Sequence, residues 1–275
     1  MNNLLSFSSV KLEFFSKDGA HLKPASGFLV DANGQYYLIT NWHVVSGRNI
    51  SVDEQQEPIY GPYTLKTSIH FHGGEGGKPY PISMGTWQRI TISLYDDNNV
   101  PRWIEYRASE QHKGMIDMVA LPIQSQLIWR PFSGITPGIT INKGPWANDI
   151  NYWTKVSSIP VSAIETDVEY GPPDAVHIIG YPQGWTPEGT SKSSSAFWRT
   201  SFIASEIYEH GMTRENIFFV DPSAPDGMTG SPVVGIKNDR LKLLGVYSDR
   251  SMEEFSAPAG LVYGAWLVKK LIGVS

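Results

Sequence analysis

Three residues of complementary chemistry stand in sharply punctuated settings: His43, Asp117 and Thr229. Nucleophilic acyl transfer needs a hydroxyl, an imidazole to take its proton, and a carboxylate to fix the imidazole's tautomer and stabilise the imidazolium. Thr229 lies in Asp226-Gly227-Met228-Thr229-Gly230-Ser231-Pro232-Val233-Val234, a small turn running into an apolar β-branched strand. Glycine supplies unusual backbone angles there and lets N–H groups point at a reacting atom. Asp117 sits inside the apolar run Met115-Ile116-Asp117-Met118-Val119-Ala120-Leu121, where a carboxylate needs a partner to offset its desolvation, and His43 would supply one. Asp96 and Asp97 compete for the acid role but occupy an obvious turn, as Asp221 before Pro222 does. Ser231 is the rival hydroxyl; it lies past Gly230 at the start of the outgoing strand, where backbone donors no longer point at its target.

The elements that must position these groups read as short strands. Residues 8–16 alternate partly, and residues 1–24 as a whole read as a strand entering the first half. Ala25–Val30, the turn Asp31-Ala32-Asn33-Gly34 and Gln35–Val45 make a hairpin on an Asn-Gly signal, with His43 where the second strand ends. Further strands are expected at 67–72, 89–95, 102–107 and 115–123. His70 and His72 alternate onto one face of the first of these; no third ligand is spaced to join them in a metal site, so a solvated face is expected. Residues 124–157 are Trp-, Pro- and Gly-rich and read as a connector. Strands resume at 175–182, 196–205, 217–220, 231–236 and 241–248, and residues 265–272 have helical spacing with two lysines near the end. The loops 73–79 and 184–195 are the flexible candidates beside a cleft.

Composition bounds the rest. The chain's 275 residues suffice for one large β domain or two small ones sharing an interface, and 41% hydrophobic with 18% charged residues argues for a globular fold. The net charge of −5, with no Lys/Arg block, argues against a nucleic-acid partner. Cysteine is absent, so neither disulfides nor thiolate chemistry are available. The N-terminus has no basic segment followed by an apolar core, and no apolar run reaches the roughly 18–20 residues of a membrane span. A cytoplasmic location and no membrane contact are the expectation, with secretion behind a removed signal as the alternative.

The local contexts resemble trypsin-like serine proteases of the chymotrypsin fold, in the disulfide-free bacterial style. Ser26-Gly27-Phe28-Leu29 and Leu38-Ile39-Thr40-Asn41-Trp42-His43-Val44-Val45 resemble the family's first-barrel strand and histidine context. Asp117-Met118-Val119-Ala120-Leu121 resembles its acid signature, with one extra residue before Ala120. Ile178-Ile179-Gly180-Tyr181-Pro182 resembles the strand opening the second barrel. Gly227-Met228-Thr229-Gly230-Ser231-Pro232 resembles the nucleophile loop, with Thr229 where the family has Ser, and Leu244-Gly245-Val246-Tyr247-Ser248 the strand lining the cleft. The resemblance implies an all-β fold of two antiparallel six-stranded β-barrels with a C-terminal helix. The first barrel would span 1–130, a connector 131–157, and the second barrel 158–275. It implies a His43-Asp117-Thr229 triad, an oxyanion hole from the N–H groups of Gly227 and Thr229, and a substrate pocket from Ser223, Asp226, Tyr247, Ser248 and Arg250. With no acid at Ser223 an Arg/Lys preference lacks its charge partner, and Arg250 suits an acidic side chain. The substrate implied is a protein or peptide, with a regulatory protein as a further partner and no metal or organic cofactor. Thr229 fits three accounts: a natural threonine nucleophile, a deliberate Ser→Thr change, or an inactive module binding a peptide in the cleft by strand addition.

Overall fold

The structure is a computed structural model that describes residues 2–48, 61–72, 74–75, 78–79, 86–107, 115–123, 155–164, 170–183, 196–206, 208–210, 215–238, 240–248 and 259–274. The first half opens with helix α1 (Asn2–Ser8), then β1 (Ser9–Phe15), β2 (Ala25–Ala32), β3 (Gln35–Thr40) and the single-turn helix α2 (Trp42–Ser46). It continues with β4 (Thr64–His72), the small ribbon β5 (Gly74–Glu75) and β6 (Lys78–Pro79), then β7 (Thr86–Ser93), β8 (Ile104–Arg107) and β9 (Met115–Pro122). Two short strands follow, β10 (Lys155–Val156) and β11 (Ile159–Pro160). The second half has β12 (Ala175–Gly180), β13 (Phe197–Ile203), β14 (Tyr208–His210) and β15 (Glu215–Asp221). After the Thr229 loop come β16 (Pro232–Lys237), β17 (Arg240–Ser248), β18 (Gly260–Gly264) and helix α3 (Trp266–Leu271).

The expected all-β architecture with a C-terminal helix is the one observed. In the second half β13-β12-β16-β17-β18-β15 closes on itself through the β13–β15 pairing, giving a six-stranded barrel with β14 attached to β15. In the first half the described strands form one sheet in the order β10-β4-β1-β2-β3-β9-β8, with β7 on β4 and β11 on β2. The expected hairpin is β2–β3, whose turn residues Asn33 and Gly34 both have positive φ, at 56° and 88°. That pair of angles suits the twist of the flanking strands, and the Asp31 carboxylate accepts the Gly34 N–H at 2.6 Å.

Period-2 alternation divides the first sheet's side chains between two cores. Leu29, Leu38, Val119 and Leu121 pack with Val10, Leu12 and Phe14 inside the first half. Their strand neighbours Phe28, Val30, Ile39, Met118 and Ala120 face the other way, onto Ile179, Tyr181, Val234 and Val246 of the second half. The halves therefore share a continuous apolar seam.

Three expectations are corrected or bounded here. Residues 2–8 are helical rather than strand: Leu5 is buried in the shared core, and the Trp198 indole donates to Ser6 Oγ at 2.8 Å, so the segment is fixed by tertiary contacts that leave no periodic signature. His70 is buried, not solvated; its Nδ1 lies 2.7 Å from Ser157 Oγ and its ring stacks on Phe7. The side chain of His72, the connector over 124–154, and residues 73, 76–77 and 184–195 of the flexible loops lie outside the described residues.

Polar stitching crosses the seam at Ser26 of β2. Its Oγ accepts the Tyr181 N–H at 2.8 Å and donates to the Gly227 carbonyl at 2.9 Å. Burial pushes the Tyr181 phenol up, so it stays protonated, and its hydroxyl donates to the Ser9 carbonyl at 3.3 Å. Ser26→Ala leaves one buried N–H and one carbonyl without their partner, and we expect a loss of about 1–3 kcal/mol in urea unfolding. A variant as stable as the parent would show that water or another group takes over.

Candidate active site

The distance between His43 and Asp117 in sequence is closed by strand pairing. β3 and β9 run antiparallel with Thr40 opposite Val119. Extending that register by two residues brings Asp117 level with Trp42, just as the chain leaves β3 and turns into α2. The turn ends at Gly47, in the left-handed region at φ 68°.

The result is a two-point clamp. His43 donates its backbone N–H to one Asp117 carboxylate oxygen at 2.9 Å, and its Nδ1 lies 2.7 Å from the other. The Asp117 side chain is 0% exposed, whereas that of His43 is 32% exposed. An ionised carboxylate only accepts, so Nδ1 carries the proton and Nε2 is left as the acceptor. Asn41 holds the same strand from behind, donating its amide to the Asp117 carbonyl at 2.6 Å. Asp96 accepts the N–H groups of Asn98 and Val100 within its own turn, both at 2.8 Å, and is a turn residue as the sequence suggests.

The Thr229 loop is held from both halves. Gly227 and Gly230 have φ of 89° and 88°, a region that costs other residues roughly 1–2 kcal/mol. The Thr229 carbonyl accepts the Ser26 N–H at 2.9 Å, the Gly230 N–H reaches the Tyr247 carbonyl at 2.9 Å, and the Asp226 carbonyl accepts from Gln183 at 2.6 Å. Among the described residues no acceptor takes the N–H of Gly227 or Thr229. Thr229, Gly227, Asp226 and His43 line one cleft, a cavity of about 680 Å³ that opens between the halves.

The remaining expected pocket residues divide. Asp226 is exposed at the cleft and Ser223 is half-buried. The side chains of Tyr247 and Ser248 are wholly buried. The Tyr247 hydroxyl accepts the Ala224 N–H at 2.9 Å, and Ser248 Oγ donates to the second Asp117 oxygen at 3.0 Å. The Ser248 hydroxyl thus supports the acid; both faces of β17 are buried at this end, so it points into the protein. Arg250 lies outside the described residues. Ser231 Oγ is buried against Gly180, without a hydrogen-bond partner among the described residues, and does not line the cleft.

Sequence reading missed Glu105. Its Oε2 accepts the indole N–H of Trp42 at 2.9 Å and that of Trp103 at 3.1 Å, bracing the residue that precedes His43. A Glu in a half-exposed strand carries no local signal of that role. Among the described residues no cluster of His, Asp and Glu could hold a metal ion, and no helix of the described chain is long and apolar enough to cross a membrane.

No protein-family model and no curated protein matches the sequence. Solved structures do. The scabies mite inactivated protease paralogue S-I1 is 13% identical with a TM-score of 0.50, over 98% of this chain and 96% of that one. Two structures of Rv3671c from M. tuberculosis also match: an inactive-form mutant (14% identity, TM-score 0.46, 98% of this chain and 86% of that one) and the active-form protease (15%, 0.47, 99% and 84%). The architecture is the double barrel of chymotrypsin-like proteases. This is a protein of the trypsin-like protease fold.

Two tests follow from the geometry. A Cβ at Gly230 would stand 2.2 Å from the Ser26 carbonyl oxygen and 2.4 Å from Thr40 Oγ1, whereas one at Gly19, with φ of 87°, meets nothing within 4 Å. Gly19→Ala should therefore cost about 1 kcal/mol and Gly230→Ala roughly 3 kcal/mol or more in chemical denaturation; equal losses would mean that the clash is relieved. Glu105→Ala orphans two indole donors, and its expected loss of about 1–3 kcal/mol should be partly recovered in Glu105→Gln, which keeps one acceptor. Identical stability of the two variants would deny the carboxylate its bracing role.

Proposed function

We propose that the chain is an endopeptidase cleaving peptide bonds by acyl transfer. The observation that carries this reading is the His43–Asp117 clamp, at 2.7 and 2.9 Å, facing the same cleft as Thr229 and as the N–H groups of Gly227 and Thr229, which have no acceptor among the described residues. His43 Nε2 takes the Thr229 hydroxyl proton as the Oγ attacks the substrate carbonyl carbon. The oxyanion of the tetrahedral adduct accepts hydrogen bonds from the two N–H groups. Collapse breaks the C–N bond, Nε2–H delivers its proton to the leaving amine, and an ester on Thr229 remains. Water, deprotonated by the same nitrogen, then hydrolyses that ester and restores the hydroxyl. Asp117 holds the imidazole and stabilises its charged form, and Ser248 holds Asp117. No metal or cofactor enters these steps, and the substrate is a protein or peptide.

A second reading, a binding module that retains the cleft without turnover, is favoured by the β-branch at Thr229. The γ-methyl restricts χ1, and a displacement of about 1 Å of a reacting group can cost on the order of 100-fold in rate. Thr229→Ser should turn over peptide or activated-ester substrates at least about 10-fold faster than the parent, and Thr229→Ala should abolish turnover. Ser231→Ala should leave both turnover and fluorophosphonate labelling intact. A Thr229→Ser chain that neither turns over substrate nor labels, while remaining folded, sinks the protease reading in favour of the binding module.

A further inference from the structure

The cleft extends well beyond the reacting groups, and unevenly. Among the described lining residues the second half contributes Gln183, Asp226, Gly227 and Thr229, and the others belong to the first half of the chain. That first-half lining includes the apolar Phe14, Leu22, Val44 and Pro62 together with the cations Lys23 and Arg48. Both cations are exposed, and among the described residues neither is paired with a carboxylate. Two such cations on one apolar wall run against the chain's overall charge of −5. Among the described lining residues the single acid, Asp226, belongs to the second half, and it disfavours an anion on its own side of the cleft.

The chemistry decides which part of a substrate meets this wall. His43 must pass its proton to the departing amine, so the segment after the cut bond lies over the imidazole and along α2, which carries Val44 and leads to Arg48. The acylated segment lies on the other side, over residues 223–226. We infer that the wall selects a leaving segment bearing an apolar side chain followed by a carboxylate, the first seated on the Phe14–Leu22–Val44–Pro62 floor and the second held by Lys23 and Arg48. The assignment of this wall to the leaving segment rests on the acyl-transfer reading; the carboxylate site itself does not.

The carboxylate can come from an acidic side chain or from a free C-terminus, and binding measurements on the full chain separate the two. The probes are Leu-Glu-Ala-amide against Leu-Gln-Ala-amide and Leu-Lys-Ala-amide, and Leu-Ala with a free or amidated C-terminus, titrated by NMR. Either the Glu peptide or the free acid should bind roughly fivefold more tightly than its neutral counterpart, as exposed cations give modest gains. Which of the two shows the gain names the source. Arg48→Glu should erase the preference and shift it toward the Lys peptide, and Lys23→Glu should reduce it; both positions are exposed, and circular dichroism checks that the variants stay folded. Equal binding of charged and neutral peptides, no binding of any of them, or a preference that survives Lys23→Glu/Arg48→Glu overturns the inference. Turnover by Thr229→Ser is scored separately: selective binding without turnover refutes the protease reading and leaves the carboxylate site standing, and turnover without selectivity removes only the site.

Discussion

The contact between Ser26 and the Thr229 loop is the constraint on which the site depends. Ser26 belongs to the first sheet, yet its N–H holds the Thr229 carbonyl and its hydroxyl holds the Gly227 carbonyl, at 2.9 Å each. With those two carbonyls tied toward the first half, the N–H groups of Gly227 and Thr229 are the ones left without an acceptor among the described residues. The approach is close enough that residue 230 can have no side chain, because the Ser26 oxygen occupies the space a Cβ would need. Neither half alone would have this geometry. The loop's donors are set by the other barrel's strand, and the apolar seam of Phe28, Ile39, Met118, Ile179 and Val246 keeps that strand in place.

Burial of Asp117 shows how the same seam tolerates charge. A carboxylate with no solvent exposure survives only where donors replace its water, and here His43 supplies two and Ser248 one. The donors come from α2 and from the end of β17, so the carboxylate links both halves at the floor of the cleft. Asn41 Oδ1 and Ser231 Oγ lie buried nearby with no hydrogen-bond partner among the described residues. Residues of this kind have a cost of roughly 1–3 kcal/mol each, which marks the seam as a place where packing has been set by position more than by stability.

Most of the architecture was legible because it rests on local signals. The Asn33-Gly34 turn, the apolar run 115–123 and the loop 226–234 each carry their geometry in a few consecutive residues. The pairing of His43 with Asp117 was legible for a different reason: a carboxylate inside an apolar strand requires a partner, and β3 and β9 deliver one by register. The roles of Ser26, Ser248 and Glu105 were not legible, since each acts through a bond to a residue far along the chain, and their own surroundings in sequence are those of ordinary strand residues. Helix α1 escaped for the same reason: Leu5, Ser6 and Phe7 are fixed by distant partners, and a seven-residue segment is too short to declare itself by periodicity.

Thr229 can be weighed against that frame of constraints. Its carbonyl is tied to Ser26, the next N–H to Tyr247, and the residue after it has no room to move, so the backbone cannot drift to accommodate a γ-methyl group. What freedom remains is χ1, which for a β-branched side chain has few accessible wells. Under the proposed acyl transfer only a well that turns Oγ toward the imidazole would serve attack, and it would also have to find space for the methyl beside the cleft wall. The difference between Ser and Thr at this position is then one of rotamer population in a site whose other members are fixed. Fold, clamp and the loop donors are independent of it, so under the proposed acyl transfer one carbon would decide activity in a protein whose architecture it does not touch.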